Sequence, residues 1–426
     1  MKWGLIIAIT LLYLSSVSAQ YIPKFAFESD SVKQHTIAFK EINNLILLPI
    51  FLNGSDTLYF ILDTGAENII LFSSEFEAMP IDTGNLRKVK VGGIGQGEAI
   101  DAFVSANNDI KIGAIEGSNQ NLIYIKDDFL KFSDLLGHPV HGILGMAIFQ
   151  SFVVEINYFT KEVTFIRQDV FKPKRRYSRI DLMINGNKPY IEINLEMHPR
   201  INLVSYLLVD LGESKPLSLY LNTHENIFIP EPSYYTNLGK GLTGLVNGRV
   251  ARISGLTIDR YELKNVITAF PDVEDIKHTS NIEERNGSLG AGIIKKFVSI
   301  FDIQNERLYL KRNGFLRQPF MYDKTGLILV SEGENFDQII ITGVIDGTAG
   351  DKAGLKIDDK IIAINDESIE GLKLGSVLNI FEKSGRKFNI TKVRKGKVIT
   401  HKIENVLAGA KKRSHTPVTS SSKFCL

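Results

Sequence analysis

Two short stretches carry the carboxylates on which chemistry could rest: "FILDTGAENIILF", Phe60 to Phe72, and "LLVDLGESKPLSL", Leu207 to Leu219. In each, an Asp ends an apolar run and a glycine follows two positions later, giving Asp63-Thr64-Gly65 and Asp210-Leu211-Gly212. Two carboxyl groups held about 3 Å apart cannot both ionise, so one keeps a proton and the other does not. Such a pair can hold one water, take its proton and protonate a leaving amine, which is peptide hydrolysis without a metal. A glycine beside each Asp permits close approach of backbone and partner, and backbone N–H groups can then fix the carboxylate.

The two stretches belong to a repeat. "GILGMAIFQSFVVEINYFTKEVTF", Gly142 to Phe165, aligns without gaps on "GSLGAGIIKKFVSIFDIQNERLYL", Gly287 to Leu310. Leu144-Gly145 falls on Leu289-Gly290 and Phe152-Val153 on Phe297-Val298, an offset of 145 residues, and Asp210 follows Asp63 by nearly the same interval, 147. The chain therefore holds two copies of one unit, each with an Asp-x-Gly near its start and a Leu-Gly turn near its end. Two facing copies of one fold readily make a symmetric two-carboxylate site.

The elements that must position these residues read as strands. Apolar runs of four to eight residues, broken by Asn-Gly, Gly-Gly and Pro signals, dominate from Ser31 to Arg312, and "LILLPIFL" and "TLYFILD" flank the hairpin signal "NGSD". "KVGGIGQGEAIDAFV", Lys90 to Val104, is a glycine-rich hairpin suited to a mobile flap, with Gly92, Gly93, Gly95 and Gly97 at its tip. The same glycines are no dinucleotide fingerprint, since no helix follows them. The basic stretch "FKPKRRYSR", Phe171 to Arg179, marks the junction between the copies. The reading is a mainly β protein with one lobe over 30–170, a second over 176–313, a further module over 320–407 and a disordered tail over 408–426.

On the residues Ile61-Leu62-Asp63-Thr64-Gly65-Ala66, the flap glycines and the turn Ile143-Leu144-Gly145, residues 30–312 resemble the retropepsin/pepsin type of aspartic protease, with two lobes fused in one chain. The resemblance implies a two-lobed β-barrel fold, catalysis by Asp63 and Asp210, support from Thr64, Gly65, Leu211 and Gly212, and an extended peptide substrate bound across the cleft. The second lobe departs from the pattern. Leu211 stands where the family has Thr or Ser, whose hydroxyl bonds across to the opposite lobe, and Leu cannot make that bond. Glu213 replaces a small residue and adds a charge beside the pair. Two other readings follow: a peptide-binding protein that does not cut, or an enzyme that pairs lobe 1 across a homodimer instead of working as a monomer.

The C-terminal module resembles a PDZ domain of the bacterial protease-associated sort, on "KTGLILV" (Lys324 to Val330), "GTAGDKAGLKIDDKIIAIND" and the amphipathic "KLGSVLNIFEKSG", whose Leu374, Val377, Leu378 and Phe381 share one face. The resemblance implies that Gly326, Leu327 and Ile328 offer N–H groups to the terminal carboxylate of a peptide, which adds as a strand. The chain's own end, Phe424-Cys425-Leu426, has apolar residues at its last and third-last positions and is a candidate occupant.

Composition narrows the rest. A net charge of +2, with 23% charged and 44% hydrophobic residues, excludes a dedicated nucleic-acid binder or a disordered chain. "MKWGLIIAITLLYLSSVSAQ" reads as a signal peptide cut after Ala19, its apolar run being shorter than a membrane span, so a secreted or periplasmic location is expected. The single cysteine, Cys425, allows no internal disulfide, which leans toward a bacterial exported protein held by burial alone. No G-x-S-x-G elbow is present, and Cys425 lies in the tail, so no serine or cysteine nucleophile is expected. His138 and His141 in "HPVH" have a metal-like spacing, but Pro139 opposes a helix there and no acidic base adjoins, so they read as structural and no metal or cofactor is expected.

Overall fold

The computed structural model describes residues 25–72, 80–126, 131–277, 285–323, 325–382 and 387–404. The signal segment, Lys324, the tail and its Phe424-Cys425-Leu426 end lie outside the described residues. Among the described residues, no helix is long and apolar enough to cross a membrane.

The protein is mainly β, with two protease-like lobes and a PDZ domain. In the first lobe six strands close into a ring: Leu45–Leu52, Leu58–Leu62, Gly142–Leu144, Ile69–Phe72, Ile115–Ile125 and Ile100–Ile112, the last returning to the first. The second lobe repeats the ring with Lys188–His198, Ile201–Asp210, Gly287–Gly290, Leu217–Leu219, Tyr261–Pro271 and Gly244–Ile258. Closure leaves these strands without free edges. The hairpin expected around "NGSD" forms, with Leu47 opposite Ile61. Phe25–Phe27, upstream of position 30, also joins the first lobe: Phe25 pairs with Gly117 and is buried.

A six-stranded antiparallel sheet joins the lobes, in the order Ser178–Asp181, Arg307–Arg312, Phe297–Asp302, Val153–Asn157, Glu162–Ile166, Gln34–Ala38. At its centre Glu155 lies opposite Ile300, the residue onto which the 145-residue offset carries it, while Val154 pairs Phe301 and Ile156 pairs Ser299. The pairing is self-complementary, as at a two-fold dimer interface, so a pseudo-two-fold axis passes through this pair. One apolar core runs through both lobes, and Phe149 meets Phe301 edge-on at 5.5 Å across the boundary.

The PDZ domain has its own core, including Leu327, Leu329, Ile341, Ile361, Leu374, Val377, Phe381, Phe388 and Ile390. Its sheet runs Leu327–Glu332, Gln338–Val344, Lys360–Ile364, Lys387–Arg394, Lys397–Glu404, with Leu327–Glu332 at the edge. The helix Leu374–Phe381 buries Leu374, Val377 and Phe381, while Leu378 is only partly covered. A fully buried ion pair, Asp359 with Lys392 at 2.8 Å, is completed by Arg394, and these hydrogen bonds bring the Asp359 carboxyl down to about 2 against the burial that opposes it.

Candidate active site

Each Asp stands where its strand meets a parallel neighbour. Leu58–Leu62 runs parallel to Gly142–Leu144, and the Asp63 N–H donates to Leu144 O at 3.0 Å. In the second lobe Ile201–Asp210 runs parallel to Gly287–Gly290, with Asp210 beside Gly290. The Leu-Gly elements of the repeat are thus the strands that hold the two turns in place. The turns are fixed alike, Met146 N–H donating to Ala66 O at 2.9 Å and Ala291 N–H to Glu213 O at 2.8 Å.

The structure brings Asp63 and Asp210 together. Asp63 Oδ1 accepts the N–H of Gly65 at 2.6 Å and of Gly212 at 3.1 Å. Asp210 Oδ1 accepts from Gly212 at 2.9 Å and Glu213 at 3.1 Å. The two glycines have a reciprocal task. A Cβ on Gly65 would lie 2.8 Å from both Asp210 carboxylate oxygens, and one on Gly212 would collide with the Asp63 carboxyl. Each lobe's glycine makes room for the other lobe's carboxylate. Burial first, and then the Asp210 charge, push Asp63 up to about 8, so the pair keeps one proton between its two carboxyl groups at neutral pH.

The cross-lobe bonds are one-sided. Buried Thr64 donates its hydroxyl to Val209 O at 2.6 Å and accepts the Leu211 N–H at 3.1 Å. Leu211 is fully buried in the apolar core and has no hydroxyl to return. Glu213 turns back into the second lobe, where its carboxylate accepts the Ser218 hydroxyl. Burial first, and then the Asp210 charge, raise it to about 7, against the pull of Ser218, Arg285 and Ser288.

The flap expected from its glycines is the loop between Arg87–Val91 and Ile100–Ile112. The second lobe carries its equivalent between Tyr234–Gly241 and Gly244–Ile258, and the tips are hydrogen-bonded to each other. Gly97 N–H donates to Thr243 O at 2.8 Å, Thr243 N–H to Ile94 O at 3.2 Å, Gln96 N–H to Leu245 O at 3.1 Å, and the Thr243 hydroxyl to Gly93 O at 3.2 Å. Gly95, at φ +139°, would place a Cβ 2.5 Å from Gly244 N, and one on Gly93 would meet Leu242 Cβ at 2.8 Å, so the tips interlock because they lack side chains. Gly92 is exposed. Sequence reasoning missed the second flap, although the 147-residue interval carries Gly92 and Gly97 onto Gly239 and Gly244.

The histidines serve the scaffold. His141 Nδ1 accepts the Tyr59 N–H at 2.9 Å, and burial holds the ring down to about 4. His138 Nε2 lies 2.8 Å from Lys40 Nζ.

At the PDZ loop, Gly326 takes φ +73° and its carbonyl accepts the Ile345 N–H at 2.9 Å, while the Leu327 N–H is turned to Thr325 Oγ1 at 3.3 Å. Ile328 follows on the edge strand, where it is partly buried opposite Gly343. The first-lobe helix Phe132–Leu136 packs against this edge strand. Gly137, which ends that helix, faces Ser331 and Leu374, so a Cβ there would meet Ser331 Oγ at 2.8 Å. The first lobe thus abuts the far end of the edge strand and the start of the helix Leu374–Phe381. Nothing local in the sequence announced this contact.

Fold and site together define a two-lobed aspartic-protease architecture with an appended peptide-binding module. The family model of the aspartyl proteases matches residues 48–148, and that of the PDZ domain matches residues 324–391. The chain therefore carries an aspartyl protease domain and a C-terminal PDZ domain. No curated protein matches the chain.

Proposed function

We propose that the protein is an exported aspartic endopeptidase that cuts peptide bonds with the Asp63–Asp210 pair and a water held between them, and that its PDZ domain recruits a peptide or protein by its C-terminus. The observation that carries this reading is the reciprocal fit of Gly65 against Asp210 and Gly212 against Asp63. Neither glycine needs such room unless the opposite carboxyl group is to stand there.

In this mechanism Asp210 takes a proton from the water, which attacks the scissile carbonyl. Asp63, holding the shared proton, hydrogen-bonds the developing oxyanion and then protonates the leaving amine. The backbone N–H groups of Gly65, Gly212 and Glu213 fix both carboxyl groups without competing for that proton. The paired flap tips would cover an extended peptide and exclude water from it. Both carboxylates come from one chain, which favours a monomer over a homodimer of first lobes. The signal-like N-terminus supports export.

Digestion of a peptide library by the wild type, Asp63→Asn and Asp210→Asn, with molecular mass measured in parallel, tests the reading. Cleavage by a monomer and its loss in both variants are expected. Undiminished cleavage by either variant overturns it.

A further inference from the structure

The 145-residue repeat lets the surroundings of the two Asp turns be compared position by position, and they differ in kind. Behind Asp63 stand Ala66, Ile70, Phe72, Val140 and Ile143, one apolar cluster. The matching strand positions behind Asp210 carry Glu213, Ser218, Tyr220, Arg285 and Ser288. These five are connected. The Ser218 hydroxyl donates to Glu213, Arg285 donates to Tyr220 Oη at 3.2 Å and lies over its ring, and Tyr220 Oη is 3.4 Å from Ser288 Oγ. Ser218, Tyr220, Arg285 and Ser288 are at most 5% exposed. The first lobe proves that the fold needs no polar group here, and burying five of them has a desolvation cost.

We propose that Glu213 is the positioning residue that replaces the missing cross-lobe hydroxyl of Leu211, anchoring the Asp210 turn from within its own lobe. The proposal rests on the reading of the pair as catalytic. Thr64 grips both sides of Asp210 from across the interface, through Val209 O and Leu211 N–H, and a Thr at 211 would return the favour. With Leu there, the second turn needs another hold. Glu213 supplies it, its backbone N–H on Asp210, its carbonyl on Ala291, and its side chain on Ser218 of the neighbouring strand. Leu211 and Glu213 are then one coupled exchange and not two lesions.

The groups facing Glu213 are Asp210 and Lys215 from its own turn, Ser218 and Tyr220 from the strand Leu217–Leu219 and its end, Arg285 from the segment entering Gly287–Gly290, and Ser288 within that strand. A carboxylate so close to Asp210 makes the shared proton harder to lose, so its charge extends activity toward higher pH.

Four variants test the anchor: Glu213→Ala, Glu213→Gln, Leu211→Thr and Leu211→Thr/Glu213→Ala. Glu213→Ala is expected to lower kcat about tenfold or more with KM little changed, because it loosens a turn whose placement matters only at the reacting bond. Glu213→Gln, whose amide oxygen can still accept from Ser218, is expected to recover kcat in acid, while its basic limb moves to lower pH. Leu211→Thr is expected to cost less melting temperature in the Glu213→Ala background than in the wild type. Equal shifts in both backgrounds, or Glu213→Ala within about twofold of wild type in kcat, would overturn the proposal. Should Glu213→Ala not fold, Ser218→Ala takes its place in the same cycle. Should the wild type cut no peptide, the functional reading falls, and the thermal cycle still decides the anchor.

Discussion

The two lobes share a six-stranded ring, a parallel strand beside each Asp and a glycine that yields space to the opposite carboxyl group, yet one turn is backed by hydrocarbon and the other by a polar network. Apart from the one-sided bonds of Thr64, what is symmetric lies where the carboxyl groups meet, and what is asymmetric lies one layer behind. The lesson is that a duplicated fold must keep its symmetry only at the shared site, while each half can hold its turn by a different chemistry. Burial of Ile70, Phe72 and Ile143 holds the first turn by packing. The second is held by directed bonds, which fix position more narrowly and bring ionisable groups near the chemistry.

Several changes would break this comparison, the severest at the symmetric layer. Asp63→Asn and Asp210→Asn should each lower kcat/KM by about 10³-fold or more in a peptide-cleavage assay, because neither carboxyl group can replace the other. Gly212→Ala should cost about 100-fold, its methyl group displacing the Asp63 carboxyl, and Gly65→Ala should do the same against Asp210. Equal effects confirm the symmetry of the inner layer; a tolerated Ala in one lobe would end it. Gly95→Ala should raise KM about tenfold by parting the flap tips, measured by initial rates over a range of peptide concentration.

The ionisable layer is sharpened by pH. Asp63 and Glu213 have folded-state values raised to about 8 and about 7, so their stabilising contribution is complete in acid below their ordinary values and is lost as pH rises through 7 and 8. Thermal melts should show a midpoint falling by roughly 3 °C or more between pH 6 and pH 9, and Asp63→Asn should remove part of the fall. The smallest effect is expected at Gly137, whose φ of +64° and nearness to Ser331 make Ala unfavourable by about 1 kcal/mol, visible as a slightly lower melting midpoint.

Much of the architecture was legible because it is written locally or repeated. The Asp-x-Gly pair, the Leu-Gly strands and the glycine hairpin are contiguous signals, and the near-constant interval ties them together. The second flap was equally available through that interval but lacks the dense glycine pattern of the first, with Lys240 and Leu242 where the first has Gly93 and Gly95. Glu213 was visible as a charge, but its partners were not, since Ser218, Arg285 and Ser288 are scattered and only the order of strands gathers them. The contact of Phe132–Leu136 with the PDZ edge strand depends on how two separate cores meet, which no periodicity records.

The central sheet has a consequence for when the Asp63–Asp210 pair can form during synthesis. Val153–Asn157 lacks its partner until Phe297–Asp302 has been made, and Asp63 has no opposite carboxyl group until the second ring closes around Asp210. A ribosome carrying a finished first lobe therefore carries one carboxyl group of the pair, with a sheet edge waiting for the rest of the chain. The proposed catalytic pair is therefore complete only with the last strands of the second lobe, and chain order sets when it forms.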